Sequence, residues 1–485
     1  MAENETDYLI IGAGAVGLAF ADTLIDEDPD CSITFVDKHA KPGGHWNDAY
    51  SFVALHQPSA IYGVNSLDFE SEQIDTHGPN AGYHALASGP EISAYFEKVM
   101  NMRLLPTGRV TYHRLAEYRG KDEATGEAKI VSILGGEETR ITVRRRIVDA
   151  TFYQTSVPST HTRAFEVDEG TQIIVPGELP DIWKRGSDLP PHYVIIGAGK
   201  TAMDTAVWLL EGGVKPANIS WVRPRESWLI NRKTVQPGEE FFEDLIGTQI
   251  AHLKAAAVAQ DGAEMMRILG ESGHYLRIDP DIEPEMFHFA VISEGEIERM
   301  REVKNVLRAG HVQSITDGTI TFANGTKETV PRDSLFIDCT ARAVPFSFID
   351  RQKPLFEDGL ITLQPLHVPL VTFSAAVTAF IEVHFPDDAA RNALAIPGPL
   401  TDNPQTYPHA FATTMMNRGN WSQDPKIAAW LVKSRLDPTG LTMAKMAAEG
   451  NPKLAILGEF AQTAAGVQKN LRKLALKAKQ IHENT

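Results

Sequence analysis

Twice in this chain a short apolar run leads into a glycine turn and then a helical pattern, an arrangement that constrains the fold more than any other feature of the sequence. The first copy runs from Asp7 to Ile11, continues Gly12-Ala13-Gly14-Ala15-Val16-Gly17, and becomes helical through Leu18, Phe20 and Leu24. Gly12 permits the tight turn, Gly14 lets the backbone approach a pyrophosphate, and Gly17 lets helix and strand pack closely. Ala15 falls where the helix N-terminus turns free N–H groups towards phosphate. The following strand, Ile33 to Val36, ends in Asp37, about 20 residues past the last glycine, where a carboxylate accepts hydrogen bonds from a ribose 2′-hydroxyl. Lys38, next in sequence, is a further expected contact.

The second copy begins at His192 to Ile196, continues Gly197-Ala198-Gly199-Lys200-Thr201-Ala202, and becomes helical through Met203, Ala206, Val207 and Leu210. Its next strand, Ile219 to Val222, is followed by Arg223, Pro224 and Arg225 where the first copy has Asp37. An arginine fork suits a 2′-phosphate, so this site is expected to prefer NADP to NAD, with Lys200 and Thr201 adding contacts near the phosphates. The alternative is that both arginines are solvated surface charges. Gly199-Lys200-Thr201 is not the end of a triphosphate-binding loop, because Val194 stands where that motif needs glycine.

The two halves also agree in length: Gly12 to Asp149 spans 137 positions and Gly197 to Asp338 spans 141. Each unit carries Gly-rich hairpin signals before its last strand, at Asp317-Gly318 and Asn324-Gly325 in the second. The expected class is therefore α/β, with two Rossmann-like dinucleotide-binding domains in series. In 485 residues, 63 acidic against 46 basic side chains leave a net charge of −17, which argues against a polyanion as partner. Two cysteines, Cys31 and Cys339, cannot build a disulfide framework or a dithiol redox centre, and they suggest a reducing, cytoplasmic setting. No His, Asp and Glu set has metal-ligand spacing, so no metal is expected. The acidic start lacks the character of a leader, and the uncharged run from Leu363 to Ile381, interrupted by Pro365 and Pro369, reads as buried strands instead of a membrane span.

With an acidic ribose partner in one site and an arginine in the other, the sequence resembles the two-dinucleotide-binding flavoproteins, and among them the flavin-containing, NADPH-dependent class B monooxygenases. Gly43-Gly44-His45-Trp46 is similar to that family's Gly-Gly-x-Trp turn, which lies along FAD. The stretch Ile61 to Ser66 is similar to the segment that places an asparagine, here Asn65, near the reactive flavin carbon. Asp149-Ala150-Thr151 and Asp338-Cys339-Thr340-Ala341 resemble strand ends where the chain crosses between domains, with Thr340 at a cofactor. The resemblance implies that residues 1–190 and 341–400 form an FAD domain and that an NADP domain, 191–340, is inserted between them. A helical insertion at about 233–301 and a helical C-terminal region, 401–485, complete the chain.

The resemblance further implies that NADPH reduces FAD, that oxygen adds to the reduced flavin, and that one oxygen atom passes to a small nucleophile such as an amine. Asn65 is then the candidate catalytic residue, though Asn beside Gly63 also suits a plain turn. His45, His56 and Gln57 are candidate flavin or substrate contacts, either histidine being able to carry a proton. The family signature F-x-G-x-x-x-H-x-x-x-[W or F] is missing between Asp149 and His192, which leaves open an NADPH-dependent reductase on the same scaffold. The 233–301 insertion either covers the active site or adds a helical layer. The basic amphipathic stretch from Val467 to His482 is expected to pack on the protein instead of on lipid.

Overall fold

The computed structural model describes residues 4–69, 73–186, 188–342 and 352–483. Strand Glu5–Ile11 pairs in parallel with Ile33–Asp37 on one side and Glu138–Asp149 on the other, and Val110–Arg114 extends the sheet beyond Ile33–Asp37. All three residues of Leu360–Thr362 pair in parallel with Ile147, Val148 and Asp149. The chain thus leaves this sheet at Asp149, builds the second fold, and returns to it. Strands Ala116–Lys121 and Ala128–Ser132 form an antiparallel meander with Glu138–Asp149, explaining the Gly-rich turns of the first unit.

The second sheet is parallel throughout, in the order Asn305–Leu307, Ile219–Val222, Tyr193–Ile196, Leu335–Asp338, Ile173–Ile174. Its three central strands are almost wholly apolar and buried on both faces, as a parallel sheet requires. The hairpin Val312–Thr316 to Thr319–Phe322 turns at Asp317-Gly318, both in the left-handed region, the two-residue turn the sequence predicts.

Two expectations are corrected here. The run read as buried strands from Leu363 contributes no strand; Val371–His384 is a helix beside the first helix, Ala15–Glu27, and only Leu360–Thr362 is extended. The stretch is apolar on all sides, so periodicity cannot separate a buried helix from buried strands. Its polar residues fit the helix because Ser374 and Thr378 return their hydroxyls to the carbonyls of Leu370 and Ser374, at 2.7 and 2.8 Å. The 233–301 insertion is only partly helical. Besides Phe242–Val258, Gly262–Glu271 and Glu294–Met300, its Tyr275–Leu276 and Met286–Ile292 flank Ser227–Asn231 in a three-stranded sheet. Alternation in Met286–Ile292 is weak, so the strand signal is lost among neighbouring helical patterns.

The C-terminal helix Ile456–Glu483 lies on Phe242–Val258 and buries Val467, Leu474 and Ala478. Burying one such aliphatic side chain is worth about 1.5–3 kcal/mol. Asn470 holds the register, donating to the carbonyls of Ala256, Ala257 and Ala259 at the end of the partner helix. No helix among the described residues is long and apolar enough to cross a membrane.

Candidate functional site

In the first fold Gly12 has φ +97°, and a Cβ there would meet the Thr151 methyl at 2.8 Å; one on Gly17 would come within 2.2 Å of the Gly12 carbonyl. Both positions therefore exclude a side chain. Gly14 caps the helix that begins at Ala15 and faces Gly44, whose own Cβ would stand 3.0 Å from the Gly14 Cα. Gly43 N–H donates to the Ala13 carbonyl at 2.8 Å, so the two glycine turns are zipped together along one edge of the crevice.

Asp37 is buried at that edge. Its Oδ2 accepts the Ala13 N–H at 2.6 Å, and its Oδ1 accepts from His39 N–H at 2.7 Å and from the His39 ring at 2.9 Å. A carboxylate offers about four acceptor positions, so one remains for a ribose hydroxyl. Lys38 is exposed beside it. His39 spans Asp37 and Asp48, with Nε2 2.8 Å from Asp48 Oδ2, and the hydrogen bond to Asp37 raises its imidazole above the ordinary value despite partial burial.

The helix Val371–His384 ends with His384 bonded to Glu27, the last residue of Ala15–Glu27, at 2.7 Å. The two helices thus run side by side in the same direction, and their N-termini, at Ala15 and Val371, present partial positive charge at the same end. Glycines that admit no Cβ, an acceptor left on Asp37 and paired helix N-termini fit the phosphates and ribose of FAD. Trp46 closes the turn by donating its indole N–H to the Tyr62 hydroxyl at 2.9 Å. Gln57 donates to the Ile61 carbonyl at 3.1 Å, and the Asn65 amide oxygen accepts the Ser434 hydroxyl at 2.9 Å.

The second fold repeats the design. A Cβ on Gly197 would strike the Cys339 carbonyl at 2.7 Å, whereas one on Gly199 would meet nothing within 4 Å, leaving that face open to a ligand. Thr340 turns its N–H and hydroxyl onto Asp338 Oδ1, at 3.1 and 2.6 Å, as Thr151 does onto Asp149 Oδ1 at 2.8 and 2.8 Å. The two strand ends are built alike.

Arg223 is neither solvated nor a free fork. It is 3% exposed, stacks over Trp221 at 4.9 Å, and donates through Nε to Glu226 Oε1 at 2.8 Å, which Arg308 shares at 3.2 Å. Its Nη1 has no hydrogen-bond partner. Arg223, Arg225 and Arg308 line one cavity of about 90 Å³, together with Glu226, Glu283 and Glu285. Among the described residues Arg225 makes no ion pair. An anion entering here thus finds one unpaired guanidinium and the orphan N–H of another.

Between the folds lies a buried charged network that sequence reasoning did not assemble. Tyr50 donates its hydroxyl to Asp204 Oδ2 at 2.7 Å; Lys200 bonds Asp204 Oδ1 and stands 4.0 Å from Glu296 Oε1. Glu296 Oε2 accepts from Arg232 Nη2 at 2.9 Å, and Arg232 Nη1 reaches across to the His56 carbonyl at 3.0 Å. Phe52 stacks on Trp208 beside it, 4.8 Å between centroids. Burial raises the Asp204 carboxyl in spite of Lys200 and Tyr50. Burial also opposes ionisation of Glu296, yet Lys200, Arg232 and the Ser293 N–H outweigh it and hold that carboxyl at about 2.

His56 is pushed down to about 3 by burial, then by Lys200 and Arg232, and burial takes His45 to about 4, so both imidazoles are neutral at pH 7. Lys200 is therefore engaged by carboxylates at the domain junction, while Thr201 lies close to the Tyr50 hydroxyl. Asp204 was legible as the residue one turn after Lys200, but Tyr50, Arg232 and Glu296 are far apart in sequence and carry no motif. A cleft of about 540 Å³ lies across the Arg232–Val235 turn from this network, lined by Asn231, Lys233, Thr234, Asp244, Lys254 and Glu294 among others.

Paired glycine folds meeting at a charged junction define a two-dinucleotide-binding fold. The NAD(P)-binding Rossmann-like domain family matches residues 10–67. The chain belongs to one family with the mycobacterial proteins that it matches along most of its length. Within it the chain is 40% identical over 433 residues to the uncharacterised protein Rv2000 of Mycobacterium tuberculosis, covering 89% of this chain and 78% of that one. It is 24% identical over 249 residues to the FAD-containing monooxygenase EthA of Mycolicibacterium smegmatis, covering 51% of this chain and 47% of EthA. An open cyclohexanone monooxygenase structure aligns with 93% of this chain and 99% of its own, at 13% identity and a TM-score of 0.49.

Proposed function

We propose that the protein is an FAD-dependent, NADPH-using monooxygenase that transfers one oxygen atom from O2 to a small nucleophilic substrate, an amine being the first class to test, in the cytoplasm. The observation that carries this reading is the junction network, which ties the helix after the second glycine loop to the segment following the first fold's Gly-Gly-His-Trp turn. Bound flavin supplies the redox chemistry, accepting hydride and activating oxygen. The protein's tasks are to bind, orient and exclude water. Gly12, Gly14, Ala15, Gly17, Asp37, Lys38, Gly44 and Trp46 hold FAD; Gly197, Gly199, Thr201, Thr340 and Arg225 hold NADP, with Lys200 exchanging between Asp204 and phosphate.

His45 and His56 are neutral, so each offers one ring N–H donor and one acceptor near the flavin without placing a cation there. Asn65, its oxygen engaged by Ser434, keeps its amide N–H groups as donors for negative charge that develops at the reacting flavin.

A second reading, an NADPH-dependent reductase that does not oxygenate, is favoured by the missing signature before the second glycine motif. The segment in its place is anchored by Ser159 on the Asp48 carbonyl at 2.6 Å and Arg163 on Asp338 at 3.0 Å. One experiment separates the two: reduce the FAD-loaded protein with NADPH without oxygen, then admit oxygen and follow the flavin spectrum. A species unlike oxidised or reduced flavin, whose decay quickens with added amine, supports oxygenation. Direct return to the oxidised spectrum, unchanged by any amine, supports the reductase, and failure of NADPH to bleach the flavin removes both.

A further inference from the structure

The C-terminal region carries an arginine whose carbonyl partners all belong to one loop of the first fold. Arg435, in the turn after helix Pro425–Leu431, donates through Nε to the carbonyls of Val64 and Leu67 at 2.9 and 3.1 Å and through Nη1 to that of Ala60 at 2.5 Å. Its Nη2 bonds the Tyr62 carbonyl and lies 3.4 Å from the Tyr95 hydroxyl. No carboxylate is paired with it among the described residues. A guanidinium has five N–H donors in a fixed fork, and here backbone acceptors of residues 60–67 absorb them.

Such a loop is curled with its carbonyls inward, a shape that needs the cation at its centre. Gly63, at φ +90°, makes the bend, and a Cβ there would fall 2.4 Å from the Tyr95 oxygen. Tyr95 ties the curl from the other side, accepting Val64 N–H at 2.8 Å and donating to the Leu67 carbonyl at 2.6 Å. Ser66 is fixed to Asp22 of the first helix at 2.9 Å. Asn65 sits between these anchors. The adjacent Ser434, fully buried, donates to its amide oxygen, which sets the orientation of the amide and leaves both N–H groups unpartnered among the described residues.

We propose that Ser434 and Arg435 are positioning residues: Arg435 fixes the backbone of the 60–67 loop, and Ser434 fixes the rotation of the Asn65 amide so that its donors face the flavin. The proposal rests on the reading of Asn65 given above and goes beyond it by assigning the helical C-terminal region a part in the reaction.

The test uses the FAD-loaded full chain and the variants Arg435→Lys, Ser434→Ala and Asn65→Ala. Hydrogen–deuterium exchange should quicken roughly tenfold or more across residues 60–67 in Arg435→Lys, which keeps the charge but loses the fork, with the amides of Ala15–Glu27 unchanged. In Ser434→Ala the loop should exchange as in the parent protein. Anaerobic reduction by NADPH should stay within about twofold in both, while hydrogen peroxide released per NADPH rises severalfold, as it does in Asn65→Ala. Unchanged loop exchange in Arg435→Lys overturns the clamp. A response in Asn65→Ala that Ser434→Ala does not share overturns the amide-setting role. No response in Asn65→Ala overturns the reading of Asn65 itself, and the proposal with it.

Discussion

The Tyr50 hydroxyl, from the segment after the first fold's glycine turns, donates to Asp204 Oδ2 on the helix of the second fold at 2.7 Å. Asp204 is also the carboxylate that holds Lys200, the first residue of that helix. On the proposed function, a pyrophosphate arriving at the helix N-terminus would compete with Asp204 for the Lys200 ammonium. Contact between the folds and binding at the second site therefore draw on the same side chains.

Tyr50→Phe removes the donor and leaves Lys200 as the main partner of Asp204. The variant should lose about 1.5–3 kcal/mol, the worth of a hydrogen bond to a charged group, and should bind NADPH severalfold more weakly while retaining FAD. Fluorescence titration with NADPH and flavin content after gel filtration check this. Loss of FAD in proportion to loss of NADPH binding would show instead that Tyr50 serves the first site.

Glu296→Gln leaves Arg232, which has no exposed surface, without its carboxylate, and breaking such a buried pair costs about 3–5 kcal/mol. The sign of the pH effect follows from the depressed carboxyl. Its folded value of about 2 lies below the ordinary glutamate value of about 4.3, so its contribution is present above 4.3 and lost as pH falls towards 2. Urea unfolding should therefore find the full gap between parent and variant at pH 7 and a narrowing gap below about pH 4. A gap that is constant with pH would refute the assignment.

The two arginines of the second site should separate on substitution. Arg223→Ala removes the nearer of the two guanidiniums on buried Glu226, leaving Arg308, and should lower stability by about 1.5–3 kcal/mol whichever nucleotide is present. Arg225→Ala touches no ion pair and should leave stability within about 0.5 kcal/mol, yet weaken NADPH roughly tenfold or more relative to NADH. Parallel melting curves and NADPH and NADH titrations read both effects. Equal weakening of the two nucleotides by Arg225→Ala would remove the 2′-phosphate assignment.

Both glycine folds were legible because their chemistry is local: Gly12, Gly14, Gly17 and Asp37 lie within one strand–turn–helix–strand passage, and Gly197 to Arg223 repeat it. Sequence also placed Asp149 and Asp338 at matching points, and both end their strands with the same threonine turn. Three things were not legible. The Val371–His384 helix was hidden because a segment buried on every side has no polar face to reveal its period. The fate of Arg223 depended on Glu226, three residues on, which no motif marks as its partner. Tyr50, Arg232 and Glu296, like Ser434 and Arg435, become a site only when distant segments pack, and a single chain read in order carries no signal of that packing.

His39 also escaped notice, although it stands two residues after Asp37 and bridges it to Asp48. The hydrogen bond that its ring donates to Asp37, helped by Asp48, raises its imidazole, so the charged form is favoured in the folded protein. For a group raised in this way the stabilisation is fully present below the ordinary histidine value of about 6.5 and is lost as pH rises through the higher folded value. His39→Leu should therefore cost stability and FAD affinity most at pH 6 and progressively less in more alkaline buffer. At pH 6 the expected loss is about 1.5–3 kcal/mol, that of a charge-assisted hydrogen bond, and because Asp37 then loses a partner beside the ribose, FAD should dissociate faster. Thermal melts and FAD release rates at several pH values decide it: a deficit that grows with pH would mean that His39 works as a neutral ring and that the backbone N–H groups of Ala13 and His39 suffice to orient Asp37.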